Sequence, residues 1–257
     1  MNRIKELFSR KKEKILSVYF TAGYPNLHDT GLVIQALTKA GTDMIEIGMP
    51  YSDPLADGPV IQHSSTIALK NGMNMRLLFQ QLKDLKSLSD DLPPLILMGY
   101  LNPVLQFGFE KFCRDASGCG ISGLILPDLP FREYEKDYKG IMEKYNLKFI
   151  FLITPDTSEE RIRKMDNLSD AFIYAVSSSS VTGRVTDEDR KESYFKRLRD
   201  MKLKNPVLVG FGVRDKRTFE HPCKYLNGAI VGTAFIQKLD QGGNIEKIAQ
   251  EFEQSLR

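Results

Sequence analysis

Cysteine is scarce and odd in number in this 257-residue chain, and Cys113, Cys119 and Cys223 match no paired metal or redox spacing. A disulfide scaffold is thereby excluded, and free thiols in a reducing compartment, by default the cytoplasm, are expected. Histidine is equally sparse. His28, His63 and His221 share no ligand spacing, so neither a metal site nor a Ser-His-Asp or Cys-His arrangement finds support. Net charge is nearly absent: 36 Lys and Arg against 33 Asp and Glu leave +3, too little to draw in nucleic acid or an anionic membrane. No window reaches the roughly 18 apolar residues that a membrane helix needs. The opening MNRIKELFSRKKEKILSVYF carries too many charges for a secretory signal. With no low-complexity run and no shift of composition, residues 1–257 are expected to form one domain.

What is present is a repeated unit. A short β-rich apolar run is followed by a turn with Gly, Pro, Asp or Asn and then by a segment of helical periodicity. The runs are ILSVYF (15–20), MIEIGM (44–49), LILMGY (95–100), GLILP (123–127), KFIFLI (148–153), AFIYAV (171–176), PVLVGF (206–211) and GAIVG (228–232). They are almost continuously apolar, as parallel strands covered on both faces must be. Between them Leu32, Val33, Ala36, Leu37 and Ala40 fall on one helical face, as do Phe109, Phe112, Cys113 and Ala116, and Ile245, Ile248, Ala249 and Phe252. Lys70-Asn71-Gly72 reads as a helix stop. Eight βα units in this length predict an α/β fold, a (β/α)8 TIM barrel with an extra N-terminal helix over 2–10. An open doubly wound sheet is the alternative, because periodicity does not report closure.

A barrel of this kind builds its site at the C-terminal ends of its strands. Gly210-Phe211-Gly212 after the seventh run and Gly232-Thr233 after the eighth, with Thr182-Gly183 after the sixth, suit a phosphate held by backbone N–H groups. Each alone reads equally as a turn; together they predict a small phosphorylated substrate.

Two acids stand out near these loops. Glu46 sits between Ile45 and Ile47 in the second run, so alternation turns it into the barrel lumen. It is either half of a structural ion pair or a general acid and base whose proton affinity is raised by a dry site. Asp57 follows in SDPLADGP, a loop stiffened by Pro50, Pro54 and Pro59. Its plain role is an N-cap for the helix that Pro59 opens; its chemical role is a second carboxylate facing the same substrate.

YFTAGYPN (19–26), EIGMPYSDPLADGPVIQ (46–62), MGYLNPVLQFG (98–108), GLILPDLP (123–130), SSSSVTG (177–183), VGFGV (209–213) and GAIVGTAF (228–235) resemble the tryptophan synthase α subunit family over nearly the whole chain. The resemblance implies a lyase that cleaves indole-3-glycerol phosphate to indole and glyceraldehyde 3-phosphate by a retro-aldol reaction. Glu46 would be its general acid and base, Asp57 would hold the indole N–H, and Tyr174 would lie near the pair. Phe20 and Tyr100 would line the indole pocket, plain core packing being the other reading of Phe20. Gly183, Gly212, Gly232 and Thr233 would contact the phosphate, and Thr182 would close over Asp57. Pro50, Asp53, Asn102 and Pro130 match positions facing a β subunit in an α2β2 heterotetramer. Pyridoxal phosphate would belong to that partner, and this chain would need no cofactor. Ser180 and Arg184 depart from common residues of the closing loop, and Asn227 replaces a frequent Asp in a structural place. A phosphosugar isomerase on the same barrel explains the phosphate loops but not SDPLADGP, and a non-catalytic barrel that activates a partner is the remaining alternative.

Overall fold

A computed structural model describes residues 2–88, 91–177, 187–210 and 212–257. Nine parallel strands lie in the order β5-β4-β3-β2-β1-β9-β8-β7-β6. They are β1 (Ile15–Thr21), β2 (Met44–Gly48), β3 (Leu95–Met98), β4 (Ile121–Ile125), β5 (Lys148–Phe149), β6 (Phe151–Ile153), β7 (Ile173–Val176), β8 (Val207–Gly210) and β9 (Gly228–Val231). β5 and β6 are one run interrupted at Ile150, whose N–H bonds the Leu124 carbonyl at 3.0 Å. The ring therefore closes through that run, giving eight staves and excluding the open sheet. The fourth run begins earlier than its apolar residues suggest, because Ile121 and Ser122 precede Gly123 in the strand, beside a register shift against β3.

The strands are buried on both faces, which is why they carry so few polar residues. Helices cover the outside. Helix Asp29–Ala40 buries Thr30, Val33, Ile34 and Leu37, ends at Gly41 with φ +92°, and packs on helix Ile245–Leu256. Leu32 does not share that face. It is 54% exposed, since one residue before Val33 lies about 100° around the helix, too far to reach the core.

The expected first helix is Arg3–Arg10, capped by the Asn2 side chain. Asn2 Nδ2 also donates to the carbonyls of Ser122 and Asn146, tying the helix across the N-terminal ends of β4 and β5. Ile4 is wholly buried there and plugs the floor of the barrel beside Gly123. On the same side Asn227 accepts from the Val207 N–H at 2.9 Å and donates to the Lys12 carbonyl, the structural place that its position before β9 suggests.

Candidate active site

Parallel pairing puts residues in register on the same side of the sheet. Tyr19 pairs with Glu46, and Glu46 with Ile96. Ser17, two residues before Tyr19, donates its hydroxyl to Glu46 Oε1 at 2.9 Å, so Ser17, Tyr19 and Glu46 all face the lumen. Glu46 is 0% exposed, and among the described residues it pairs with no cation and its Oε2 has no partner, so the ion-pair reading finds no support there. Burial pushes its carboxyl up to about 8, against the smaller opposing pull of the Ser17 hydrogen bond. At neutral pH this acid keeps its proton.

The same alternation turns Phe20 away. It is fully buried but points to the helix layer, so it does not line the lumen, and Tyr19 stands in the place expected of it. The parity with Glu46 was available in the sequence once β1 and β2 were set in register; without that register, YF offers two adjacent aromatics and no way to choose.

Asp57 lies in the loop between β2 and helix Pro59–Lys70. The helix N-cap is Gly58, not Asp57, and Pro59 occupies the first turn. The Asp57 carboxylate is instead held by the Tyr100 hydroxyl, which donates to Oδ2 at 3.0 Å and accepts from the Ala56 N–H at 2.9 Å. Burial lifts Asp57 to about 6, with that hydrogen bond pulling the other way. Asp57, Tyr19, Tyr100, Met49 and Met98 line one recess of about 10 Å³.

Tyr174 reaches the lumen from β7 and crosses Gly210, where a methyl group would collide with its ring. Burial and then the nearby charges of Glu46 and Asp57 raise its hydroxyl well above the ordinary tyrosine range, and both acids act on Tyr19 in the same way. Two carboxylates on different elements thus share one electrostatic neighbourhood, with two tyrosines within reach of both.

On the opposite wall, Gly212 adopts φ +78°, a conformation that favours glycine. Ser177 Oγ and Lys191 Nζ both lie 3.9 Å from where its side chain would start. Gly232 caps helix Thr233–Asp240, whose first intrahelical bond runs from the Ile236 N–H to the Gly232 carbonyl. The N–H groups of Thr233 to Phe235 precede that bond and open toward the mouth, as an anion site requires. Of the expected phosphate residues, Gly212 follows β8, and Gly232 and Thr233 follow the neighbouring β9. Thr182, Gly183, Ser180 and Arg184 lie outside the described residues. Pro50, half-buried, and Asp53, Asn102 and Pro130, all exposed, rim the same mouth.

A family model described as tryptophan synthase alpha chain matches residues 5–257. The chain is 51% identical to a tryptophan synthase alpha chain of Phocaeicola vulgatus, over 100% of both chains. It is 54% identical to one of Flavobacterium psychrophilum, over 98% of this chain and 99% of that one. Among solved structures it resembles a tryptophan synthase subunit alpha from Legionella pneumophila, with TM-score 0.88, 28% identity, and coverage of 100% of this chain and 97% of that one. A chain of tryptophan synthase from M. tuberculosis, in its aminoacrylate-bound form, is similar with TM-score 0.85 and 30% identity over 100% of both.

Proposed function

The chain belongs to the tryptophan synthase alpha chain family, and from that premise we propose how its own residues cleave indole-3-glycerol phosphate to indole and glyceraldehyde 3-phosphate. The enzyme is a lyase, and the observation that carries the residue assignment is the buried Glu46, which has no cation partner among the described residues and whose proton is retained to about pH 8.

Glu46 gives that proton to the ring carbon bearing the glycerol chain. The positive charge that grows on the ring nitrogen is met by Asp57, ionised above about pH 6 and aimed by Tyr100. Glu46, now a carboxylate, takes the proton of the chain hydroxyl next to the ring. The carbon–carbon bond then breaks: its electrons restore the neutral ring as indole leaves, the alkoxide becomes the aldehyde, and Glu46 is returned protonated. Gly212, Gly232 and Thr233 hold the phosphoryl group, so binding energy from the unreactive end positions the reacting end. Tyr174 lies against the acid pair and excludes water from it. Thr182 and Gly183 are assigned by the family resemblance alone.

Family members pair with a β subunit. We assign that contact in this chain to the rim bearing Pro50, Asp53, Asn102 and Pro130, in an α2β2 assembly whose pyridoxal phosphate resides in the β subunit, and we place the enzyme in the cytoplasm. No helix among the described residues is long and apolar enough to cross a membrane.

The test is indole release from indole-3-glycerol phosphate by the purified chain, with and without a β subunit. Release in either condition supports the assignment. Binding of the phosphate ester without release in both leaves only a partner-activating barrel.

A further inference from the structure

Glu46 works in a layer of the lumen that offers it little. Ile96 on β3 stands in register with Glu46, and Ile230 on β9 with Ser17; both isoleucines are buried. Into this apolar layer Ser17 brings a hydroxyl that is itself 0% exposed and lies 2.9 Å from Glu46 Oε1. Ser17 sits two residues nearer the floor of the barrel than Tyr19, so Oε1 is tethered from the closed end. The other carboxyl oxygen, Oε2, is buried without a partner among the described residues.

The direction of the Ser17 hydrogen bond is set by chemistry once Glu46 has given up its proton. A carboxylate has only lone pairs, so the serine must then be the donor. For the neutral acid either group can donate. The contact is therefore stronger for the carboxylate, as hydrogen bonds to charged groups are. An interaction that strengthens as the proton leaves favours the transition state over the resting enzyme. The titratable groups nearby bring no positive charge to help. Tyr19 on β1 and Tyr174 on β7 are kept neutral by burial, which raises both well above the ordinary tyrosine range. Asp57, in the loop after β2, is anionic at neutral pH and bears on the same two tyrosines.

We propose that Ser17 is a positioning residue that receives the Glu46 carboxylate each time the acid gives up its proton, so that Oε1 is the anchored oxygen and Oε2 the one that hands the proton over and takes it back. The proton transfers are those of the reaction proposed above, on which the catalytic part of the role rests; the hold on the carboxylate does not depend on it.

The test compares wild type, Ser17→Ala and Ser17→Cys as full chains, with circular dichroism confirming the fold. Ser17→Ala removes the donor, and Ser17→Cys keeps the volume while leaving only a weak S–H donor. At pH 7 both variants lower kcat for indole release about tenfold and leave KM for the phosphate ester unchanged. Independently of turnover, carbon-13 NMR of glutamate-labelled chain follows the Glu46 carboxyl, its signal identified by its loss in Glu46→Gln. In Ser17→Ala the midpoint moves up from about 8 by about one pH unit, because the charged form has lost its donor. A Ser17→Cys variant that works as well as wild type reduces Ser17 to packing and overturns the proposal, as does a Glu46 midpoint that stays in place in Ser17→Ala. A shifted midpoint in a chain whose wild type releases no indole overturns the reaction and leaves the hold on the carboxylate standing.

Discussion

Glu46 shows what a functional residue costs the fold that carries it. Its carboxyl titrates near 4.5 when exposed and near 8 in place, because burial disfavours the charged form. The folded state therefore binds this proton more tightly than the unfolded chain does. Its stabilising contribution is complete below about pH 4.5 and is lost as pH rises through 8. Glu46→Gln removes the titration, so the variant should melt above wild type at pH 9, with the gap narrowing toward pH 5. Each kcal/mol is worth roughly 2–4 °C in a chain of this size, and thermal unfolding followed by circular dichroism at the two pH values checks the sign. The charge inside an apolar run was legible from IEI alone, whereas the Phe20 assignment failed because a choice between neighbours needs strand parity, which only register supplies.

Loops and glycines do at the level of elements what single side chains cannot. The segment between β2 and helix Pro59–Lys70 holds Asp57 on its inner side, through Tyr100, while its outer side leaves Leu55 93% exposed. The Tyr51 ring lies tilted against Tyr100, centroids 5.3 Å apart, and its hydroxyl accepts from Asn102 Nδ2 at 3.3 Å, joining the loop to the rim residues around helix Leu101–Phe107. An apolar side chain so open, its N–H bonded to the Asp53 carbonyl, fits burial against the proposed partner. Leu55→Asp should weaken β-subunit affinity at least tenfold in calorimetric titration while the isolated chain keeps its own rate of indole release. Gly228 works on the other end of the barrel. A methyl group there would strike the Ile15 backbone at the start of β1, so Gly228→Ala should cost about 3 kcal/mol in urea unfolding. The βα rhythm and Gly-rich mouth loops were readable from apolar runs, but the Tyr100 clasp on Asp57 was not, because it joins residues 43 apart across two loops.

Across the whole molecule, closure of the sheet is what turns scattered motifs into one site. β1 pairs with both β2 and β9, so Glu46 on one side and the Gly232 loop on the other are brought against the same Tyr19 ring. The sequence implied eight staves without showing that they meet, since closure rests on Ile150 bonding across to β4, a contact that periodicity does not encode. The N-terminal helix completes the barrel from below, with Ile4 seated in its floor. Ile4→Ala should destabilise the chain by roughly 2–5 kcal/mol in denaturant unfolding, through the cavity it leaves, and should leave KM for the phosphate ester unchanged, because the mouth lies at the opposite end. The most direct test of two acids sharing one lumen with separated proton affinities is the pH dependence of kcat/KM for indole release. The account predicts a bell, rising through about pH 6 as Asp57 ionises and falling through about pH 8 as Glu46 loses its proton. A rate that stays flat from pH 5 to 9 would contradict it.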